Sequence, residues 1–221
     1  MEVGVPQTVS SEVTGSNAGL TDEVLLEAAR GGDRDAFDSL VHRYEKELYG
    51  YLRRYLGDAV LAEDIFQNTF LKVYEKIHQY EPGRPVRPWL YTIATHQAVD
   101  ALRRVNRRSA VSLDRKGSPG AEGDQSSLAD LLVSKDQSPQ DALSQEEQKQ
   151  ALRMAVEELP ELYREVLLLA YYQEMKYKDI AEVLRVPVGT VKSRLHAAVG
   201  KLLLKLRGSA DGALAALDPQ D

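Results

Sequence analysis

Apolar residues recur every three or four positions through most of this 221-residue chain. Nowhere do they alternate with period two for long enough to make a strand. Thr21-Asp22-Glu23 reads as a helix start and Gly31-Gly32 as its stop. Asp33 is placed to cap a second helix running to about Leu56. Gly57 breaks the pattern, and Asp58 caps a third helix from about Ala59 to Tyr80. Two prolines and a glycine make Glu81–Pro85 a loop. A fourth helix begins near Pro88, which suits a first turn, and runs to about Asn106. From Ser109 to about Ser144 the chain is rich in Gly, Ser, Asp and Gln and reads as a linker. Helical periodicity resumes over about 145–159, 161–173, 177–185 and 188–207. The expected fold is all-α, with two helical domains over 21–108 and 145–207. A flexible acidic linker over 109–144 joins them, with a disordered extension at 1–20 and a tail at 208–221.

Composition removes several function classes. With 43% hydrophobic and 28% charged residues, the chain has the make-up of a globular protein. It has no cysteine, which excludes thiol catalysis, disulfides and thiolate metal sites. No apolar run is long enough for a membrane helix, and no secretory signal is evident. No membrane insertion and a cytoplasmic location are therefore expected. Four scattered histidines, no glycine-rich phosphate loop and no paired acidic metal site speak against an enzyme. No catalytic residue, cofactor or metal is expected.

The net charge of −6 hides a segmental pattern. Residues 84–108 hold six arginines against Asp100 alone. Residues 176–207 hold eight lysines and arginines against Asp179 and Glu182. Residues 109–150 reverse this, with eight acidic and four basic residues. Two basic segments inside an acidic chain point to a polyanionic partner at two places.

The C-terminal basic segment has the spacing of a helix-turn-helix. Tyr177–Leu184 forms the first helix, Arg185-Val186-Pro187 the turn, and Val188 opens the second. Val188, Val191, Leu195, Ala198, Val199 and Leu202 share one face, set to pack on Ile180, Ala181 and Leu184. The opposite face carries Gly189, Thr190, Ser193, His196, Ala197 and Gly200, with Lys192, Arg194 and Lys201 on its flanks. Small residues permit close approach to a major groove, hydroxyls and imidazole meet base edges, and cations reach phosphates. An ordinary helical hairpin with a solvated basic face has the same pattern.

On the helix from Pro88, the apolar face is Leu90, Ala94, Ala98, Ala101, Leu102 and Val105. The other side aligns Trp89, Ile93, His96, Asp100, Arg103 and Arg107, with Arg104 and Arg108 nearby. Aromatics beside a line of arginines suit a single nucleic-acid strand, whose bases stack and whose phosphates are neutralised. Trp89 and Tyr91 read equally well as core residues. On the third helix, Ala62, Phe66, Thr69, Phe70, Val73 and Ile77 form an inward stripe, opposite Asp64, Gln67, Asn68, Leu71 and Glu75. Leu71, apolar within a polar face, reads as the centre of a small protein contact or as one of the single exposed leucines common on protein surfaces.

Together these segments resemble the sigma-70 superfamily of bacterial RNA polymerase sigma factors, in its extracytoplasmic function (ECF) group. Ala62–Tyr74 resembles the family's polymerase-binding helix, region 2.2. Pro88–Arg104 resembles regions 2.3 and 2.4, which open DNA and read the minus-ten element. Leu159-Pro160 through Val188–His196 resembles region 4, which reads the minus-thirty-five element. The resemblance implies polymerase docking through Asp64, Gln67 and Phe70; because Phe70 falls on the inward stripe, direct contact is expected at Asp64, Gln67, Asn68 and Leu71. It implies minus-ten contacts at Trp89, Tyr91, His96, Gln97, Arg103, Arg104 and Arg107. For the minus-thirty-five element it implies Gly189, Thr190, Lys192, Ser193, Arg194, His196 and Ala197. Two positions depart from the family pattern: Asn68, where Glu is frequent, and His96, where Asn is common.

The implied partners are core RNA polymerase and promoter DNA, with an anti-sigma factor as a candidate regulator. The implied mechanism is assembly, and the polymerase supplies the chemistry. The acidic linker is then placed to mimic RNA phosphate in the polymerase's RNA path, or to serve as a plain tether. The alternative reading is a helix-turn-helix repressor or activator that never binds polymerase. Such a protein usually dimerises. No dimerisation heptads are present, so a monomer is expected for the free chain.

Overall fold

The computed structural model describes residues 17, 19–111 and 150–215. Among them there is no strand, and the fold is all-α. The N-terminal unit comprises α1 (Asp22–Arg30), α2 (Arg34–Leu56), α3 (Ala59–Lys76) and α4 (Val86–Val111), with a 3-10 turn at Ile77–Gln79. The C-terminal unit comprises α5 (150–157), α6 (Glu161–Leu167), α7 (Tyr177–Leu184) and α8 (Val188–Ala215). A π-helical turn at Leu168–Tyr172 continues α6. Residues 1–16 and 18 of the expected extension (1–20), the stretch 112–149, which holds most of the expected linker, and residues 216–221 of the expected tail lie outside the described residues.

Three helix starts are fixed as their sequences dictate. Thr21, Asp33 and Asp58 each accept a backbone N–H three residues on, from Val24, Ala36 and Leu61. Each side chain thereby satisfies a donor that the helix itself leaves open. Gly57 closes α2 at φ +73°, a conformation that disfavours any residue with a Cβ. α4 starts at Val86, ahead of Pro88. The Val86 N–H is capped from α1 by the Glu23 carboxylate at 3.2 Å, and Pro88 still falls in the first turn, where no N–H is needed.

The core of the N-terminal unit joins Leu25 and Leu26 of α1, Leu40, Leu48 and Leu52 of α2, Ala62 and Val73 of α3, and Leu90 and Ala94 of α4, all buried. Tyr51 crosses this core, and its hydroxyl lies 2.9 Å from that of Thr95. In the C-terminal unit, Val166–Leu169, Ile180, Val183, Val191 and Ala198 are buried together. The expected inward stripe of α8 holds at Val191, Leu195, Ala198 and Leu202. Val188 is 39% exposed, because it opens α8 beyond the cover of α7. α8 runs on past Arg207 to Ala215. The two units touch: α7 packs along α4, and the π-turn packs against α2.

Candidate functional site

Three surfaces carry the candidate residues. The first is the outer face of α3. Asp64, Gln67, Asn68 and Leu71 are exposed along one strip, and Leu71 stands 63% exposed. Gln67 Nε2 donates to Glu63 Oε1 at 2.9 Å, which holds the amide along the helix. Phe70 points inward, 6% exposed, edge-on to Phe37 and Phe66. Its place is to hold the strip in position from behind. Tyr74, which was not among the sequence candidates, is 62% exposed one turn beyond Leu71 and edge-on to Phe37 at 5.5 Å. The signal was there in the spacing, since residues 67, 71 and 74 share a helix face.

The second surface is α4. Trp89 is half-buried, edge-on to Tyr80 at 5.3 Å. The Tyr80 hydroxyl in turn donates to the Arg84 carbonyl, so the proline loop is tied to the start of α4. Tyr91 is fully buried, and for this aromatic the core reading is the one the packing matches. Gln97 turns toward α3, donating to the Thr69 hydroxyl at 3.4 Å. His96 is half-buried, and burial first, then the Arg185 cation, lowers its pKa from the ordinary imidazole value. Asp100, Arg103, Arg104 and Arg107 are exposed, with Asp100 and Arg103 paired at 3.8 Å.

The third surface is the second helix of the helix-turn-helix. Arg185 makes the turn in the left-handed region, at φ +52°. Beyond it, Gly189, Lys192, Ser193 and His196 are exposed, and Thr190 and Ala197 are partly exposed. The Ser193 hydroxyl donates to the Thr190 carbonyl at 3.1 Å. Arg194 leaves this face: Nη1 bonds Glu165 Oε1 at 3.1 Å, beneath the helix. Burial is the main cause that raises the Glu165 carboxyl to about 7, with Arg194 opposing and Glu161 adding to the rise. Among the described residues, no cluster of His, Asp or Glu could hold a metal ion. No described helix is long and apolar enough to cross a membrane.

The described residues are all-α, with a basic helix in one unit and a helix-turn-helix in the other, an arrangement suited to DNA. Comparison with known proteins names the family. The sigma-70 region 2 family matches residues 40–108, and the sigma-70 region 4 family matches residues 149–202. The chain is 32% identical over 182 residues to the ECF RNA polymerase sigma factor SigW of Bacillus subtilis, covering 82% of this chain and 95% of that one. It is 33% identical over 178 residues to the RNA polymerase sigma-H factor of Pseudomonas aeruginosa, covering 80% and 89%. To the ECF sigma-E factor of Escherichia coli it is 32% identical over 187 residues, covering 81% and 91%.

Solved structures agree on the fold. The sigma factor RpoE of Bartonella quintana, solved with the anti-sigma factor NepR, superposes with a TM-score of 0.58 at 20% identity, covering 75% of this chain and 95% of that one. CnrH, solved with the cytosolic domain of CnrY, superposes at 0.59 and 23% identity, covering 85% and 97%. The chain belongs to the sigma-70 family of RNA polymerase sigma factors, in its extracytoplasmic function group. It is a transcription initiation factor of a family that works by assembly on RNA polymerase.

Proposed function

We propose a division of labour among the three surfaces, in a cytoplasmic protein with no catalytic residue of its own. The α3 strip of Asp64, Gln67, Asn68 and Leu71, extended by Tyr74, docks on core RNA polymerase. The observation that carries this is Leu71, left 63% exposed between polar neighbours on a helix whose other side is fully packed. An apolar centre with a polar rim is how a small protein contact is built. Phe70 supports the strip from the core.

α4 takes the minus-ten strand. Arg103, Arg104 and Arg107 neutralise phosphates, Trp89 offers a face for stacking, and His96 meets an extruded base. Tyr91 and Gln97 act as props, holding α4 against its neighbours. The second helix of the helix-turn-helix enters the major groove of the minus-thirty-five element. Gly189, Thr190, Ser193, His196 and Ala197 approach the bases, and Lys192 reaches a phosphate. Arg194 reaches DNA only by leaving Glu165.

The domain division proposed is 21–108 for polymerase and minus-ten binding, 145–207 for minus-thirty-five binding, and 109–144 as the joining segment. The free chain is a monomer, and an anti-sigma factor is its natural regulator. The test is capture of core polymerase by the immobilised chain. Leu71→Ala is expected to weaken capture about tenfold or more, a hot-spot effect, without lowering the melting temperature. Unchanged capture by Leu71→Ala and by Asp64→Ala would remove α3 as the docking strip.

A further inference from the structure

α4 begins at a point held from two other helices. Glu23, in the first turn of α1, accepts the Val86 N–H at 3.2 Å through Oε1. Val86 is fully buried, so this donor has no water to turn to if the carboxylate is lost. Beside Glu23, Asp22 ties the same turn of α1 to α2, accepting from Arg43 Nη1 at 2.6 Å and from the Tyr44 hydroxyl at 2.5 Å. One residue after Val86, Arg87 pairs with Glu47 of α2 at 3.1 Å. Trp89 follows in the same opening turn of α4. Its ring meets Tyr80 edge-on, with centroids 5.3 Å apart. Tyr80 is buried, and its hydroxyl donates to the Arg84 carbonyl across a loop that Gly83 turns at φ +85°. Burial first, then the Glu23 and Glu27 carboxylates, raise the pKa of the Tyr80 hydroxyl. The acids of α1 thus lie beside the ring that supports Trp89.

We propose that Glu23 is a positioning residue for capture of the minus-ten strand. From α1 it caps the first turn of α4 and, with Tyr80, holds Trp89 as a rigid platform for one base. The proposal rests on the assignment of α4 to the minus-ten strand. Phosphate contacts at Arg103, Arg104 and Arg107 place that strand but carry no base identity. Identity comes from the bases that meet Trp89 and His96. A ring held in place before the DNA arrives adds no ordering cost on binding, and it offers one geometry rather than several. Glu23 achieves this without touching the DNA, since its carboxylate is engaged by the Val86 N–H. With a loose first turn the arginines, about four helical turns further along, still hold the strand, but the choice among bases is lost.

Trp89 is the chain's single tryptophan, so tryptophan fluorescence reports on this ring alone. The full chain and its Glu23→Ala and Glu23→Gln variants are compared free in solution. They are then compared with a pool of random single-stranded DNA, from which bound sequences are recovered. Glu23→Ala is expected to shift Trp89 emission to longer wavelength and to raise its quenching by acrylamide. The strongest base preference of the wild type falls about fivefold or more, as a loosened stacking contact requires. Affinity for the unselected pool stays within about twofold, because the arginines are unchanged. Glu23→Gln keeps an acceptor oxygen for the Val86 N–H and keeps the wild-type result in all these readouts. Tyr80→Phe removes only the tie from the loop to the Arg84 carbonyl. It moves emission and base preference in the same direction as Glu23→Ala, and serves if that variant does not fold.

Unchanged emission and quenching in Glu23→Ala overturn the positioning role. So does an even loss of affinity for every sequence with the base preference intact, which leaves Glu23 a plain structural cap. Loss of the preference in Glu23→Gln as well overturns the capping bond as its cause. A wild-type chain without affinity or base preference for the pool, or a Trp89→Ala chain with the wild-type preference, sinks the assignment of this end of α4 to the minus-ten strand. In that case the fluorescence result still decides by itself whether Glu23 fixes Trp89.

Discussion

Glu165 shows how a single residue links burial to function. Burial raises its carboxyl to about 7, above the ordinary carboxylate value, even with Arg194 beside it. A carboxyl raised on folding stabilises most below its unfolded pKa, and that contribution falls as pH rises through the folded value. Glu165 therefore withdraws stability between about pH 4.5 and pH 7. Glu165→Gln is expected to remove this fall. Thermal melts at pH 5 and pH 8 should show the variant gaining on the wild type at the higher pH; an equal difference at both would contradict it. Tyr51 gives a second residue-scale prediction. Tyr51→Phe leaves the buried Thr95 hydroxyl without its cross-helix partner, for a loss of about 1–3 kcal/mol by chemical denaturation. The inward stripe of α3 was legible one residue at a time, since Ala62, Thr69, Phe70 and Val73 are all buried as their spacing requires. Arg194 was not, because the carboxylate that draws it under α8 lies on a different helix, 29 residues earlier.

At the scale of elements, capping chemistry placed the starts of α1, α2 and α3 directly. Asp58→Ala is expected to lower stability by about 1 kcal/mol, through the lost bond to the Leu61 N–H. The check is the shift of the denaturation midpoint with an unchanged slope. α4 was harder to read. An amphipathic helix shows one buried stripe, but α4 is covered from two sides. α2 and α3 bury Leu90, Ala94 and Ala98, while the C-terminal unit helps to bury Tyr91 through Gln173. A residue covered by a distant segment carries no local mark of it, so Tyr91 looked available to a ligand. The early start of α4 has the same origin, a carboxylate contributed by α1. The two helices of the helix-turn-helix were legible where they pack on each other, at Ile180, Val191, Leu195 and Ala198, but not at Val188 or Arg194.

At the scale of the whole molecule, the net charge of −6 conceals two separated basic segments, the elements proposed to bind DNA. Affinity for promoter DNA is expected to fall steeply with salt, by about 0.9 per phosphate contact on log scales. Removing Arg103, Arg104 or Arg107 should each lower that slope by about one, measured by anisotropy across a salt series. The order of the elements and the class of partner were readable from the chain. The contact between the two units was not, since it rests on polar pairs such as Gln173 with Arg87, 86 residues apart, which leave no periodic trace. This chain is expected to direct core polymerase to promoters through the α3 strip. Run-off transcription by purified core polymerase on a library of upstream sequences tests it most directly. Specific starts that appear only with the protein, and are lost with Asp64→Ala plus Gln67→Ala, are the expected result. No starts and no polymerase binding by the wild-type chain would contradict it.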